Sequence, residues 1–101
     1  MLNPRVAIYY KPDCSECEEA RRVLERVRPY EPFELEEIDV THDRVARTRY
    51  GDNVPVVTLN GRVIFRHGVD EDRLTRRLGL ARREMLADEE ERRTQGRRGR
   101  G

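Results

Sequence analysis

The two cysteines of the chain, Cys14 and Cys17, are the residues best suited to chemistry. They are its only cysteines, and two residues separate them within the segment 11–17, KPDCSEC. Residues three apart at the start of a helix face the same side, close enough for a disulfide to form without moving the backbone. The spacing therefore predicts a thiol pair that can be oxidised and reduced in turn.

Two other interpretations of such a pair have less support from the sequence. Inert core thiols are disfavoured, because Cys14 is expected at an exposed helix start. With His42 or His67, the pair could instead bind zinc, or an iron–sulfur cluster shared between two chains. A structural zinc site usually takes four protein ligands, and one cysteine pair with distant histidines supplies them poorly. We therefore expect no metal or organic cofactor, and keep a non-catalytic metal- or cluster-binding redox module as the alternative.

A helix over residues 15–28 is predicted to hold the two thiols. Its apolar residues recur with a period near 3.6, and Pro29 ends it. Cys17 lies on the apolar stripe, whereas Cys14 falls at or before the first turn, so one sulfur is expected to be shielded and the other exposed. The stripe consists of Cys17, Ala20, Val23, Leu24 and Val27.

Cys14 must become a thiolate before it can attack a disulfide. The unpaired amides and partial positive charge of a helix N-terminus favour the thiolate, and Lys11, the only lysine of the chain, could add to this effect. Acidic residues crowd the same turn and oppose this effect. We therefore expect a moderately activated thiol and a reducing rather than an oxidising enzyme. These acids are Asp13, Glu16, Glu18 and Glu19.

The other predicted elements place the pair just after a central strand. Residues 5–10 read as a strand buried on both faces and residues 34–40 as a second strand. A short helix over 43–50 would face Val45, Ala46 and Tyr50 inward. Asn60-Gly61 predicts a type I′ hairpin turn joining strands 56–59 and 62–66. A last helix is expected from the acids at 70–72 to about residue 91.

The order β-α-β-α-β-β-α predicts an α/β fold with a four-stranded mixed sheet, whose first two strands are parallel. Charged residues make up 41% of the chain against 36% hydrophobic residues, which predicts a compact core under an ionic surface. We divide the chain into a domain over 1–80, a helical extension over 81–91 and a disordered basic tail over 92–101. That tail holds five arginines without interleaved aromatic residues, so nucleic-acid binding is not expected.

Targeting signals are not recognisable in the chain. No run approaches the roughly 20 apolar residues of a membrane span, and no basic segment with an apolar stretch opens the chain. A cytoplasmic protein without a membrane partner is therefore expected. In that reducing compartment, a single C-x-x-C pair is catalytic or metal-binding more often than structural.

Three segments together resemble the glutaredoxin-like branch of the thioredoxin superfamily. They are a strand running into KPDCSEC, NVPVV at 53–57 opening a hairpin, and GVDED at 68–72 before the last helix. The resemblance covers about residues 5–80 and implies a thioredoxin-like fold. It also implies that Cys14 attacks, that Cys17 resolves, and that Pro55 is a cis-proline packed beside them, with the Val54 backbone presented to an extended substrate.

The resemblance implies a thiol-disulfide oxidoreductase that reduces protein or glutathione mixed disulfides. Its partners would be a disulfide-containing protein or glutathione. Ser15-Glu16 between the cysteines and the single Gly68 depart from typical dithiol glutaredoxins, so both glutathione and thioredoxin reductase stay open as electron donors. The expected substrate-binding residues are Lys11, Val54, Pro55, Gly68 and Asp70.

Overall fold

The computed structural model of the chain describes residues 3–98. Its four strands are β1 (Arg5–Tyr10), β2 (Glu34–Asp39), β3 (Val56–Leu59) and β4 (Arg62–Arg66), and its three helices are α1 (Ser15–Val27), α2 (Arg44–Tyr50) and α3 (Glu71–Arg98). The strands form one sheet in the order β2-β1-β3-β4. β1 and β2 are parallel, whereas β1 with β3 and β3 with β4 are antiparallel. The predicted α/β fold and mixed sheet are thus confirmed.

The main core lies on one face of this sheet, between the strands and helices α1 and α3. Val6 and Ile8 point to that face from β1, and Leu24 of α1 meets Leu74 and Leu78 of α3 there. These side chains are 0–1% exposed, and burying each one stabilises the fold by about 1.5–3 kcal/mol. The same face receives the apolar stripe of α1, which fixes the orientation of the helix that carries the cysteines.

The opposite face is only partly covered, by the short helix α2. Tyr9 packs its ring against Tyr50, with 4.6 Å between the ring centroids. The prediction that β1 is buried on both faces is therefore too strong, because its second face is only half-buried. Val45 is 67% exposed rather than inward. In a helix of seven residues, the single face that meets the sheet is already occupied by Ala46 and Tyr50, four residues apart.

The hairpin turn between β3 and β4 matches its sequence signal. Asn60 and Gly61 both have positive φ, at 49° and 87°, as a type I′ turn requires. The Asn60 backbone N–H donates to the Arg5 carbonyl at 2.7 Å, and the Arg5 N–H donates to Asn60 Oδ1 at 2.9 Å. The turn is therefore attached to the start of β1.

Helix α3 begins after Asp70 and is longer than predicted. It continues across Gly79 and through residues 92–98, where a disordered tail is expected from the sequence. The segment contains no proline, and Arg93 pairs with Glu89 at 2.9 Å, four residues earlier, which supports an exposed helix. The remaining tail residues, 99–101, lie outside the described part of the chain. Within residues 3–98, no helix has the length and apolar character needed to cross a membrane.

Candidate active site

Cys14 occupies the N-cap of α1. The loop after β1 turns at Asp13, whose φ is 58°, a left-handed conformation that Asp adopts more readily than most residues. Cys14 then has extended backbone angles, and its Sγ accepts a hydrogen bond from the Cys17 backbone N–H at 3.1 Å. Its sulfur thus lies against an amide at the positive end of the helix dipole, where negative charge is favoured.

Cys17 lies one turn further along α1, on the buried stripe. It is 3% exposed, whereas Cys14 is half-buried. The two residues are joined by a disulfide, with 5.2 Å between their Cα atoms. The sulfurs are therefore unequal, one near the surface and one shielded by the core.

A cavity of about 90 Å³ opens beside the disulfide. The charged side chains that line it come from the loop before α1 and from the first two turns of that helix. Two are cationic, Lys11 and Arg21, and two are acidic, Asp13 and Glu18. Tyr10, Pro12 and both cysteines complete the lining.

The segment around Pro55 reaches the same edge of the sheet. Tyr9 pairs with Val56 across β1 and β3, so Pro55, which directly precedes β3, lies beside the end of β1. Pro55 is buried, and the Val54–Pro55 peptide bond is cis. The cysteine loop leaves from the end of the same strand, so the two segments approach each other there.

The chain returns to this edge after β4. The His67 backbone N–H donates to the Pro55 carbonyl at 2.8 Å, which holds Gly68 next to the proline. A Cβ atom at Gly68 would meet no atom within 4 Å, so close packing at this position does not require glycine.

Asp70 has a structural role at the start of α3. Its Oδ1 accepts the Arg73 backbone N–H at 2.9 Å, and its carbonyl accepts the Leu74 N–H at 2.9 Å. It thus caps α3 and does not line the cavity beside the cysteines.

Arg21 is the residue that sequence reasoning missed. Its guanidinium carbon lies 4.9 Å from the centre of the Tyr10 ring, and its Nε lies 2.8 Å from Glu37 Oε1. The spacing of four residues from Cys17 is the signal that could have identified it, because residues i and i+4 share a helix face.

Two titratable groups with shifted pKa values lie outside the cavity. Burial, reinforced by the neighbouring Tyr50, raises the pKa of Tyr9 on the opposite face of the sheet. The Thr41 hydroxyl and backbone N–H donate to the Asp39 carboxylate and lower its pKa.

Metal ligands do not converge in the part of the chain that the structure describes. Among residues 3–98, no three side chains of His, Cys, Asp or Glu form a group that could hold a metal ion. The two cysteines therefore lack the further ligands that a zinc site within one chain would take.

The sheet order, the helices on both faces and the cysteine pair at the end of β1 define the class as thioredoxin-like. The solution NMR structure of Ne2328 from Nitrosomonas europaea matches with a TM-score of 0.67 and 24% identity, covering 77% of this chain and 94% of that one. A thioredoxin mutant from Halobacterium salinarum matches with a TM-score of 0.59 and 23% identity, covering 75% of this chain and 72% of that one.

The family follows from the sequence itself. The model of the Glutaredoxin-like domain family matches residues 5–79, and the chain belongs to that family. A relative from Dictyostelium discoideum, named "Glutaredoxin-like protein YDR286C homolog", is 28% identical over 92 residues, covering 85% of each chain. The predicted membership of the glutaredoxin-like branch of the thioredoxin superfamily is confirmed, and with the paired cysteines it indicates a redox protein.

Proposed function

We propose that this protein is a thiol-disulfide oxidoreductase that reduces protein or glutathione mixed disulfides in a reducing compartment such as the cytoplasm. One observation carries the proposal: two cysteines within disulfide reach differ sharply in environment, with Cys14 at a helix N-cap and Cys17 buried. A pair that alternates between dithiol and disulfide needs one accessible nucleophile and one shielded partner.

The first step belongs to Cys14. The Cys17 amide at 3.1 Å and the positive end of the α1 dipole favour its thiolate. This thiolate attacks one sulfur of the substrate disulfide. A bond forms between Cys14 and that sulfur, the substrate S–S bond breaks, and the electron pair leaves with the other substrate sulfur, which takes up a proton.

The second step belongs to Cys17. Its thiolate attacks Cys14 Sγ, the Cys14–substrate bond breaks, and the second substrate sulfur leaves as a thiolate and is protonated. The substrate is thereby reduced by two electrons, and the cysteine pair is oxidised to a disulfide. A thiol reductant, with glutathione or thioredoxin reductase as the candidate donors, must then return the pair to the dithiol.

Substrate binding would use the edge of the sheet around Pro55. Among residues 3–98, no hydrogen bond is formed by the Val54 backbone N–H or carbonyl, so both remain available to an extended substrate segment. Lys11 lines the cavity beside the cysteines, and Gly68 leaves open space next to the proline. Asp70 would contribute through its charge and its second carboxylate oxygen, because its Oδ1 already caps α3.

The proposal is tested by comparing wild type with Cys14→Ser and Cys17→Ser. Reduction of insulin and of a glutathione mixed disulfide is measured with glutathione or with thioredoxin reductase as donor. We expect Cys14→Ser to lose all activity, and Cys17→Ser to accumulate a covalent mixed disulfide through Cys14. The chain offers no third cysteine that could substitute.

Two results would contradict the proposal. One is a Cys14→Ser protein that reduces both substrates at the wild-type rate. The other is stoichiometric iron or zinc in protein purified anaerobically, without reductase turnover, which would favour a non-catalytic metal- or cluster-binding module.

A further inference from the structure

We propose that Arg21 is a positioning residue whose fixed positive charge keeps Cys17 available as the thiolate that resolves the mixed disulfide. This inference rests on the proposed function and adds to it a residue outside the C-x-x-C motif. Arg21 acts through the sulfur of Cys17 and takes no part in bond making.

The geometry places Arg21 beside the shielded sulfur. Arg21 follows Cys17 by four residues in α1, so both lie on one face, one turn apart. Both side chains line the same cavity of about 90 Å³. Arg21 is therefore a cation of α1 that shares the cavity with Cys17.

Arg21 is held in place from two sides. Its guanidinium stacks on Tyr10 at 4.9 Å, and its Nε lies 2.8 Å from Glu37 Oε1. The Nε–H is buried and forms no hydrogen bond, so the contact with Glu37 is an ion pair without hydrogen-bond geometry. The side chain is 36% exposed, and its contacts with Tyr10 and Glu37, rather than burial, restrict its position.

The side chains that line the cavity carry equal positive and negative charge only when Arg21 is present. Lys11 and Arg21 share this lining with Asp13 and Glu18, whereas Glu37 is not part of the lining and pairs with Arg21. Without Arg21, two carboxylates oppose a single ammonium beside the sulfurs. That surplus of negative charge disfavours a second anion at the same place.

Cys17 needs this compensation more than Cys14 does. It is 3% exposed, and burial disfavours the charged form of a thiol. The helix N-terminus that favours the Cys14 thiolate contacts Cys14 directly, whereas Cys17 lies a turn inside the helix, where the dipole is weaker. A cation one turn further along supplies the missing stabilisation.

The first test isolates the Cys17 thiol in a Cys14→Ser background. The fraction present as thiolate is followed by its ultraviolet absorbance and by its alkylation rate as pH is varied. With Arg21→Gln we expect about tenfold less thiolate at neutral pH. Arg21→Lys should restore most of it, because the charge is kept. Arg22→Gln is the matched control, since Arg22 faces solvent and pairs with Glu19 at 3.3 Å.

The second test uses the chain with both cysteines. Arg21→Gln should slow the resolving step about tenfold, so that the mixed disulfide through Cys14 accumulates, while the rate of its formation stays near that of wild type. Raising the pH should abolish the difference. Activity lost on Cys14→Ser but unaffected by Arg21→Gln would leave the proposed function intact and overturn this inference.

Equal titration curves for the Arg21→Gln and Arg22→Gln proteins would likewise overturn it. The same holds if Arg21→Lys is as impaired as Arg21→Gln, because shape rather than charge would then matter. Circular dichroism and thermal unfolding of each variant separate these outcomes from loss of folding.

Discussion

Replacement of Asp70 with alanine tests whether this residue acts as a helix cap. Its Oδ1 accepts the Arg73 N–H at 2.9 Å at the start of α3, and loss of such a cap costs about 1 kcal/mol. The carboxylate is exposed, so its interaction with the helix dipole is screened and adds about 0.3 kcal/mol. We therefore expect the free energy of unfolding to fall by about 1–1.5 kcal/mol.

Urea and thermal unfolding measure this loss directly. With a urea slope of about 1–3 kcal/mol/M, the midpoint should fall by about 0.3–1 M at unchanged slope. The melting temperature should fall by about 4–8 °C per kcal/mol in a domain of this size. Because Arg73 lies in the first turn and Leu74 is fully buried directly after it, fraying at this end would also loosen the core.

Asp70→Asn is the control that separates capping from charge. Asparagine keeps an oxygen that can accept the Arg73 N–H, so we expect its stability to lie within about 0.5 kcal/mol of wild type. The KM for a glutathione mixed disulfide should rise in Asp70→Asn only if the charge also binds substrate. If Asp70→Asn is as unstable as Asp70→Ala, or if Asp70→Ala is as stable as wild type, the capping argument is wrong.

Two further predictions concern stability. Leu24→Ala should lower the free energy of unfolding by about 3 kcal/mol, because Leu24 is 0% exposed between α1 and α3; a loss below about 1 kcal/mol would contradict this packing. The pKa of Tyr9 is raised in the folded state, so as pH rises its phenol loses a proton in the unfolded chain before it does so in the folded chain. The stability that Tyr9 contributes below its ordinary pKa of 10.0 is therefore lost as pH rises. Tyr9→Phe should therefore reduce the fall in stability above about pH 10, measured by urea unfolding, and the same fall in both proteins would contradict this.

Features that depend on neighbouring residues could be predicted from the sequence. The Asn60-Gly61 turn needs only two residues that accept positive φ, and the apolar stripe of α1 needs only its own period. The difference between Cys14 and Cys17 follows from their places relative to that stripe. Each of these signals lies within a single element or turn.

Features that depend on packing between elements could not be predicted in the same way. Val45 is exposed because the sheet offers α2 only one face, and no residue within 43–50 indicates which face that is. The extension of α3 through 92–98 depends on helix propensity and on pairs such as Glu89–Arg93, each of which contributes little free energy. The composition of this segment, taken alone, predicts disorder instead. The spacing of Arg21 from Cys17 indicates a shared helix face, but its contacts with Tyr10 and Glu37 depend on strands and could not be predicted from the helix.

The position of Pro55 links the candidate site to the opposite end of the sheet. Pro55 lies beside the end of β1, from which the cysteine loop leaves, because Tyr9 pairs with Val56, and this register continues to Val6 and Leu59. A shift by one residue would turn every β3 side chain to the other face and carry Pro55 away from the end of β1. The two hydrogen bonds between Asn60 and Arg5 oppose such a shift. The hairpin turn, far from the thiols, therefore helps to hold Pro55 beside the end of β1.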